Sequence, residues 1–249
     1  MPQVFHPSFN TISRVSIFGS AFIVAAIFYV LYAFYRSPYS TEEDVIQTQP
    51  VPFSHAHHVG DIGIDCRYCH TSVEDSSFAN VPPTATCMNC HSQLYRDESM
   101  FVPVVESFRS ANTTEEKPLR WTRVHDVPDY AYFNHSIHLA KGIGCVSCHG
   151  EVDKMPLMWR ENTLHMEWCL ECHRNPEKNI RPREFLFTLR SREELSESDD
   201  FQEYLKREFP EVAADDDRAG DMAAIADGLL ERYGIHKEHP KTHCSACHR

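Results

Sequence analysis

Hydrophobic residues run without a charge from Val15 to Tyr35, and Arg14 and Arg36 bracket the run. As a helix rising about 1.5 Å per residue, this stretch reaches roughly 32 Å, enough for the hydrocarbon core of a bilayer. The apolar part of a cleaved secretion signal is shorter, about 7–15 residues, and ends in a small-x-small site. This run closes instead in Tyr32-Ala33-Phe34-Tyr35-Arg36, so it reads as an uncleaved anchor. Tyr29, Tyr32, Tyr35 and Tyr39 gather toward its far end, as an interfacial aromatic belt does. Ala21 and Ala25 stand one turn apart beside Gly19, a spacing that admits a second membrane helix and is equally ordinary on a lipid-facing surface.

Helical patterning returns near the C-terminus. Ser191-Arg-Glu-Glu194 has the form of a capping box, with Ser196 to Asp200 as a break after it. Phe201, Tyr204, Leu205 and Phe209 then form an apolar stripe that Pro210 ends. Asp215 to Asp217 read as the cap of a further helix, with Met222, Ile225, Ala226, Leu229, Leu230 and Tyr233 on one face and Gly234 at its end. Between anchor and helices, regular structure is expected to be sparse and short, in loops punctuated by Pro82, Pro83, Pro103, Pro118 and Pro128. The expected division is an anchor over 1–40, a central region over 41–180, and an acidic helical region over 181–249.

The central region holds most of the chemistry. Cys-x-x-Cys-His occurs at Cys66-Cys69-His70, Cys87-Cys90-His91, Cys145-Cys148-His149 and Cys169-Cys172-His173, and once more at Cys244-Cys247-His248. These use all ten cysteines. A disulfide framework gives no reason for a His after every second Cys. Zinc sites combine two Cys pairs per ion and would leave one pair over, and a thioredoxin-like pair explains one motif but not five. The pattern is the attachment signature of c-type haem, in which two thiols add to the porphyrin and the next His becomes the proximal iron ligand. Five covalently bound haem c groups are expected, with the macrocycles supplying much of the core. The fold class is therefore a multihaem cytochrome c, mainly short α-helices and irregular loops packed on haems, with one N-terminal transmembrane helix.

A repeat supplies the second axial ligands. Phe53-Ser-His55-Ala-His-His58 before the first motif matches Phe133-Asn-His135-Ser-Ile-His138 before the third, both Phe-x-His-x-x-His. A second motif follows the first of each pair after 21 or 24 residues, and the two units lie 79 residues apart. This predicts a duplicated two-haem unit. His at i and i+3 project to nearly one side of a helical turn, so one can serve the local haem and the other a neighbour. His55, His58, His135 and His138 are the expected distal ligands, with His57 replacing His58 if the turn is not helical. The fifth ligand is open among His239, with His236 beside it, and His165 and Met166 ahead of Cys169. A Met sulfur there would raise that haem's potential. His125 is either a ligand or a hydrogen-bond donor to a haem propionate. The 181–243 helices are expected to carry the fifth haem away from the other four.

The formal charge of −12 makes nucleic acid an unsuitable partner and fits a basic electron carrier. Haem attachment occurs on the outer side of an energy-transducing membrane, so the haem region is expected in the periplasm with a cytoplasmic N-terminus. A row of haems with both axial positions filled passes electrons and binds no substrate. The competing readings are a reductase with one open haem and a stand-alone membrane-anchored quinol dehydrogenase; pentahaem nitrite reductases usually mark the catalytic haem with Cys-x-x-Cys-Lys, absent here.

Taken in order, the anchor, the two Phe-x-His-x-x-His units, the Trp121–Pro128 and Leu164–Cys169 runs and the C-terminal fifth motif resemble the pentahaem cytochrome c subunit of alternative complex III. The likeness covers nearly the whole chain, and its specificity lies in the ordered combination. It implies integral-membrane subunits that oxidise menaquinol and an iron–sulfur subunit that relays electrons. It also implies acceptors such as a monohaem cytochrome c, another soluble carrier or an oxygen reductase. The His236–His243 stretch stands outside the resemblance.

Overall fold

The structure is a computed structural model and describes residues 4–215 and 222–248. The chain divides into two compact units, Met1–Glu43 and Asp44–Arg249. Asp216 and Asp217 of the expected acidic cap lie outside the described residues.

In the first unit, α1 (Ser8–Tyr35) carries the apolar run and has no buried residue. It is long and apolar enough to cross a membrane. The helix starts two turns before Val15, because nothing from Ser8 to Arg14 breaks it. Ser20 donates its hydroxyl to the Ser16 carbonyl at 2.7 Å, which satisfies a polar group inside the apolar stretch without water. The Arg36 guanidinium lies over the Tyr32 ring, 5.4 Å from its centre, and one further turn, α2 (Pro38–Thr41), follows. A cation and a ring at a helix end are common at a membrane–water boundary.

The second unit is built of short helices and loops, and among the described residues it has no strand, only isolated bridges at Ala131–His248 and Ile143–Ile180. All five Cys-x-x-Cys-His motifs form helical turns: α3 (Cys66–Cys69), α4 (Thr84–His91), α7 (Val146–His149), α8 (Met166–Arg174) and α13 (Cys244–Cys247). Helical spacing puts cysteines at i and i+3 on one face with the His just beyond them. Between these lie α5 (Val102–Ser110) and α6 (His135–Ala140), the latter capped by the Asn134 side chain, which accepts from the Ile137 amide at 3.2 Å.

The largest hydrophobic core lies toward the C-terminus. The capping box forms as the sequence predicts: the Ser191 amide donates to Glu194 Oε2 at 2.9 Å and the Glu194 amide to Ser191 Oγ at 3.0 Å. The helix it opens, α9 (Arg192–Ser196), stops before α10 (Asp199–Glu208). Pro210 closes the α10 stripe and itself opens a turn, α11 (Pro210–Ala213), ahead of α12 (Met222–Arg232). Phe201, Leu205, Ile225 and Leu229 are fully buried against one another, with Tyr204, Phe209, Leu230 and Tyr233 around them. Gly234 ends α12 at φ 60, the left-handed cap that glycine adopts without strain. The motif-bearing region has only three small clusters: Val51 with Met88, Val104 and Val105; Val73 with Leu139 and Leu186; and Val152 with Met155 and Leu189.

Candidate haem-binding centre

The two Phe-x-His-x-x-His segments differ in backbone and agree in side chains. The first forms a widened turn over Ala56–Asp61, the second the α-helical turn α6. Yet Phe53 meets the His55 ring edge-on at 4.8 Å and 87°, and Phe133 meets His135 at 4.8 Å and 88°. Phe53 stacks on His58 at 4.4 Å and 25°, and Phe133 on His138 at 4.4 Å and 24°. The Phe of the motif thus orients both histidines, a role its repetition in the sequence signals.

The second histidine of each segment faces a proximal histidine of the second motif in its own unit. Ring centres of His58 and His91 are 6.1 Å apart, and those of His138 and His173 6.2 Å. An iron held between two imidazoles by metal–nitrogen bonds of about 2 Å spaces the ring centres by about 6 Å. His135 lies 6.4 Å from His149 with the rings 12° from parallel. His125 approaches His149 to 4.2 Å, too close for a metal between the two rings. His57 points elsewhere: it is exposed and meets Asp61 at 3.3 Å, so the widened but still helical turn presents His58.

Hydrogen bonds hold these rings in one tautomer. Nδ1 of His58 donates to the Ser54 carbonyl (2.8 Å) and that of His138 to the Asn134 carbonyl (2.7 Å). His135 donates to Ser77 (2.8 Å), His70 to Asn80 (2.6 Å) and His91 to Leu94 (3.1 Å). His173 donates to Lys241 (2.9 Å) and His248 to Tyr130 (3.1 Å). A carbonyl on Nδ1 leaves Nε2 free for a metal and strengthens its donation. The acceptors are main-chain oxygens, several of them far along the chain, which leave no trace in the sequence.

Burial disfavours the protonated form of His55, His138 and His149, and the neutral ring is the form that ligates. Desolvation first, and then the charges of His70 and His58, lower His55 to about 4. Burial also lowers His138 and takes His149 well below its ordinary value. His55 Nδ1 and His125 Nε2 are out of solvent without a hydrogen-bond partner. Buried polar atoms left bare are uncommon, and two of the four among the described residues belong to the His cluster, the others being Asp153 Oδ1 and Glu177 Oε2. Cys145 donates its thiol proton to Cys66, which holds Cys66 down at about 7 and Cys145 high. Among the described residues no three His, Cys, Asp or Glu side chains converge as a metal cage. Large apolar side chains stay exposed around the motifs, among them Tyr68, Phe78, Leu94, Tyr95, Tyr132 and Ile137. Cysteine pairs on helical turns, facing imidazoles and uncovered apolar walls all fit covalently held haem.

The fifth motif is not carried away from the others. The 181–243 helices double back, and Cys247 offers its carbonyl to the Tyr132 amide at 2.7 Å while Lys241 meets His173 of the fourth motif. Packing of α12 near α6, where the Lys141 ammonium donates to the Tyr233 carbonyl at 2.6 Å, brings the chain home. The candidates for its second ligand lie in different surroundings. His239 is exposed, and His236 is exposed with its ring 3.7 Å from Glu238. His165 caps α8, and Met166 opens it, 63% exposed. Leu164 just before them adopts φ 53, a strained conformation for a bulky residue that turns the chain into α8.

No family model matches the chain. An alignment 173 positions long, taking in 61% of the chain, shows 31% identity to the menaquinone reductase multihaem cytochrome c subunit of Nitratidesulfovibrio vulgaris strain Hildenborough and covers 78% of that protein. The chain belongs to this family of multihaem cytochrome c subunits. The exposed apolar walls around the Cys-x-x-Cys-His turns are compatible with that membership.

Proposed function

We propose that the chain is a membrane-anchored pentahaem c-type cytochrome that relays electrons for a quinone-linked respiratory complex. The carrying observation is the pair of facing imidazoles at 6.1 and 6.2 Å, one in each repeat. In this reading Cys66 and Cys69, Cys87 and Cys90, Cys145 and Cys148, Cys169 and Cys172, and Cys244 and Cys247 hold one haem each. His70, His91, His149, His173 and His248 are proximal ligands. Distal places go to His55, His58, His135 and His138 for the first, second, third and fourth sites, and the fifth is drawn from His165, Met166 and His239. Bound haem supplies a one-electron iron couple. The protein's own part is to orient the imidazoles, fix their tautomers through Nδ1 and exclude water from the metal faces, so the chain acts as a carrier rather than a catalyst.

The anchor α1 fits an inner-membrane protein with its N-terminus in the cytoplasm and its haem region in the periplasm. One span makes a poor quinone pocket, so quinone chemistry falls to integral-membrane subunits with an iron–sulfur subunit, as in alternative complex III. There a quinol gives up two electrons and two protons, and the electrons leave singly to a monohaem cytochrome c or an oxygen reductase. The name of the relative, a menaquinone reductase subunit, favours a second reading, in which electrons flow from a periplasmic donor to menaquinone.

Purification from native membranes in mild detergent, followed by a redox titration in visible and EPR spectroscopy with menaquinol, tests the proposal. Reduction of low-spin haems by menaquinol only while other subunits remain attached supports the quinol-oxidising relay. Menaquinone reduction by the pre-reduced complex supports the reverse direction. A high-spin haem that shifts on adding nitrite, or quinol reduction of the isolated chain, makes the protein an enzyme in its own right.

A further inference from the structure

The five motifs are not neighbours in space in the order in which they follow along the chain. The first and second touch directly: Asn89, inside the second, donates from Nδ2 to the Tyr68 hydroxyl, inside the first, at 3.0 Å. The first and third touch as well. Residues 186 and 187 bridge them, with the Leu186 carbonyl accepting from the Cys145 amide at 3.1 Å and the Arg67 guanidinium 4.4 Å from the centre of the Phe187 ring. The turn ahead of the first motif packs on the turn behind the third, where the Ala56 amide donates to the Met155 carbonyl at 3.0 Å. That approach is so close that a Cβ on Gly60 would stand 2.5 Å from the Asp153 carbonyl oxygen.

Beyond this centre the contacts continue on one side. The Asn162 side chain, on the approach to the fourth motif, donates to the Cys148 carbonyl of the third at 3.3 Å, and His138, just ahead of the third, faces His173 of the fourth. His173 then donates to the carbonyl of Lys241, three residues before Cys244 of the fifth. The two repeats therefore meet through their first motifs and hold their second motifs outward. The fifth extends one arm only.

We propose that the haem sites stand in the spatial order second, first, third, fourth, fifth, with the second and fifth at the two ends of the row. This rests on the five-haem reading above. The duplication makes the first four sites palindromic, and the added fifth makes the two ends of the row different.

Iron positions in the holoprotein, located by anomalous scattering at the iron edge, give the order directly. The expected result is an iron at the first site with the second and third as its nearest neighbours. An iron at the second site lying between the first and third overturns the order. Intact mass counts the haems separately: fewer than five overturns the five-haem reading, while the positions of the occupied sites still decide their order. Solution data give a second check. Loss of the first haem in a Cys66→Ala, Cys69→Ala variant is expected to shift the midpoint potentials of two remaining haems, and loss of the second in Cys87→Ala, Cys90→Ala to shift one. A shift of one haem in the former and two in the latter overturns the proposal.

Discussion

Replacing His138 with Ala separates the ligand assignment from a general role in packing. The ring donates from Nδ1 to the Asn134 carbonyl at 2.7 Å, stacks on Phe133 at 4.4 Å and faces His173 at 6.2 Å. Losing one hydrogen bond costs about 1 kcal/mol and losing the aromatic pair about 0.5–1.5 kcal/mol. The Asn134 cap on the Ile137 amide survives, so α6 and the fold should persist. On the proposed ligation the iron held by His173 would lose its sixth ligand, and with five motifs about one fifth of the low-spin signal should turn high-spin. EPR and visible spectra of the purified variant read this out. Added imidazole should restore the low-spin state, and His138→Met should restore it at a raised potential. The affected haem must be the one on the fourth motif, so the high-spin signal should vanish when Cys169 and Cys172 are also replaced. An unchanged low-spin count, or a high-spin haem that persists without those cysteines, refutes the pairing of His138 with His173.

Three further outcomes follow from packing and charge. Leu205→Ala empties a fully buried position and should cost about 2–5 kcal/mol, seen as earlier thermal loss of helical circular dichroism with the haem spectrum intact below the transition. Gly142 sits at φ 82, and a Cβ there would stand 2.5 Å from the Tyr233 ring, so Gly142→Ala should destabilise by roughly 1–3 kcal/mol in denaturant titrations. Burial, then the charge of Arg160 and that of His135, lower His125 from 6.5 to about 4. Folded His125 therefore binds its proton more weakly than unfolded. Its contribution is whole above pH 6.5 and is lost as pH falls toward 4, by at most roughly 3 kcal/mol at about 1.4 kcal/mol per pH unit. His125→Gln should flatten that part of the stability curve between pH 7 and 4.5, and a parallel curve would sink the argument.

Features set by near neighbours along the chain can be read from the residues alone. The capping box at Ser191 and Glu194, the glycine at Gly234 and the stripe of Phe201, Tyr204 and Leu205 depend on three or four consecutive turns at most, and each is found. The Cys-x-x-Cys-His turns belong to the same class, because thioether spacing and helical pitch impose one pattern. What depends on distant contacts is not legible in this way. The return of the fifth motif to Tyr132, and of Lys241 to His173, follows from how α12 packs, and no local signal encodes it. The choice of His58 over His57 turns on a widened turn over Ala56–Asp61, a backbone detail that the matching segment at His135 does not share.

The uneven distribution of hydrophobic burial bears on how such a chain is made. Residues 180–233 hold one continuous core that owes nothing to a cofactor, whereas the stretch carrying the first four motifs has only three small clusters. The former can collapse on its own as soon as it is made. The latter cannot bury enough surface to offset the entropy of ordering until its thioether bonds are in place, much as small metal domains stay unfolded without their ion. Maturation is then a folding step. A chain that has missed a haem would expose apolar surface locally while its C-terminal helices stay intact, giving proteases a marker by which to separate unfinished molecules from finished ones.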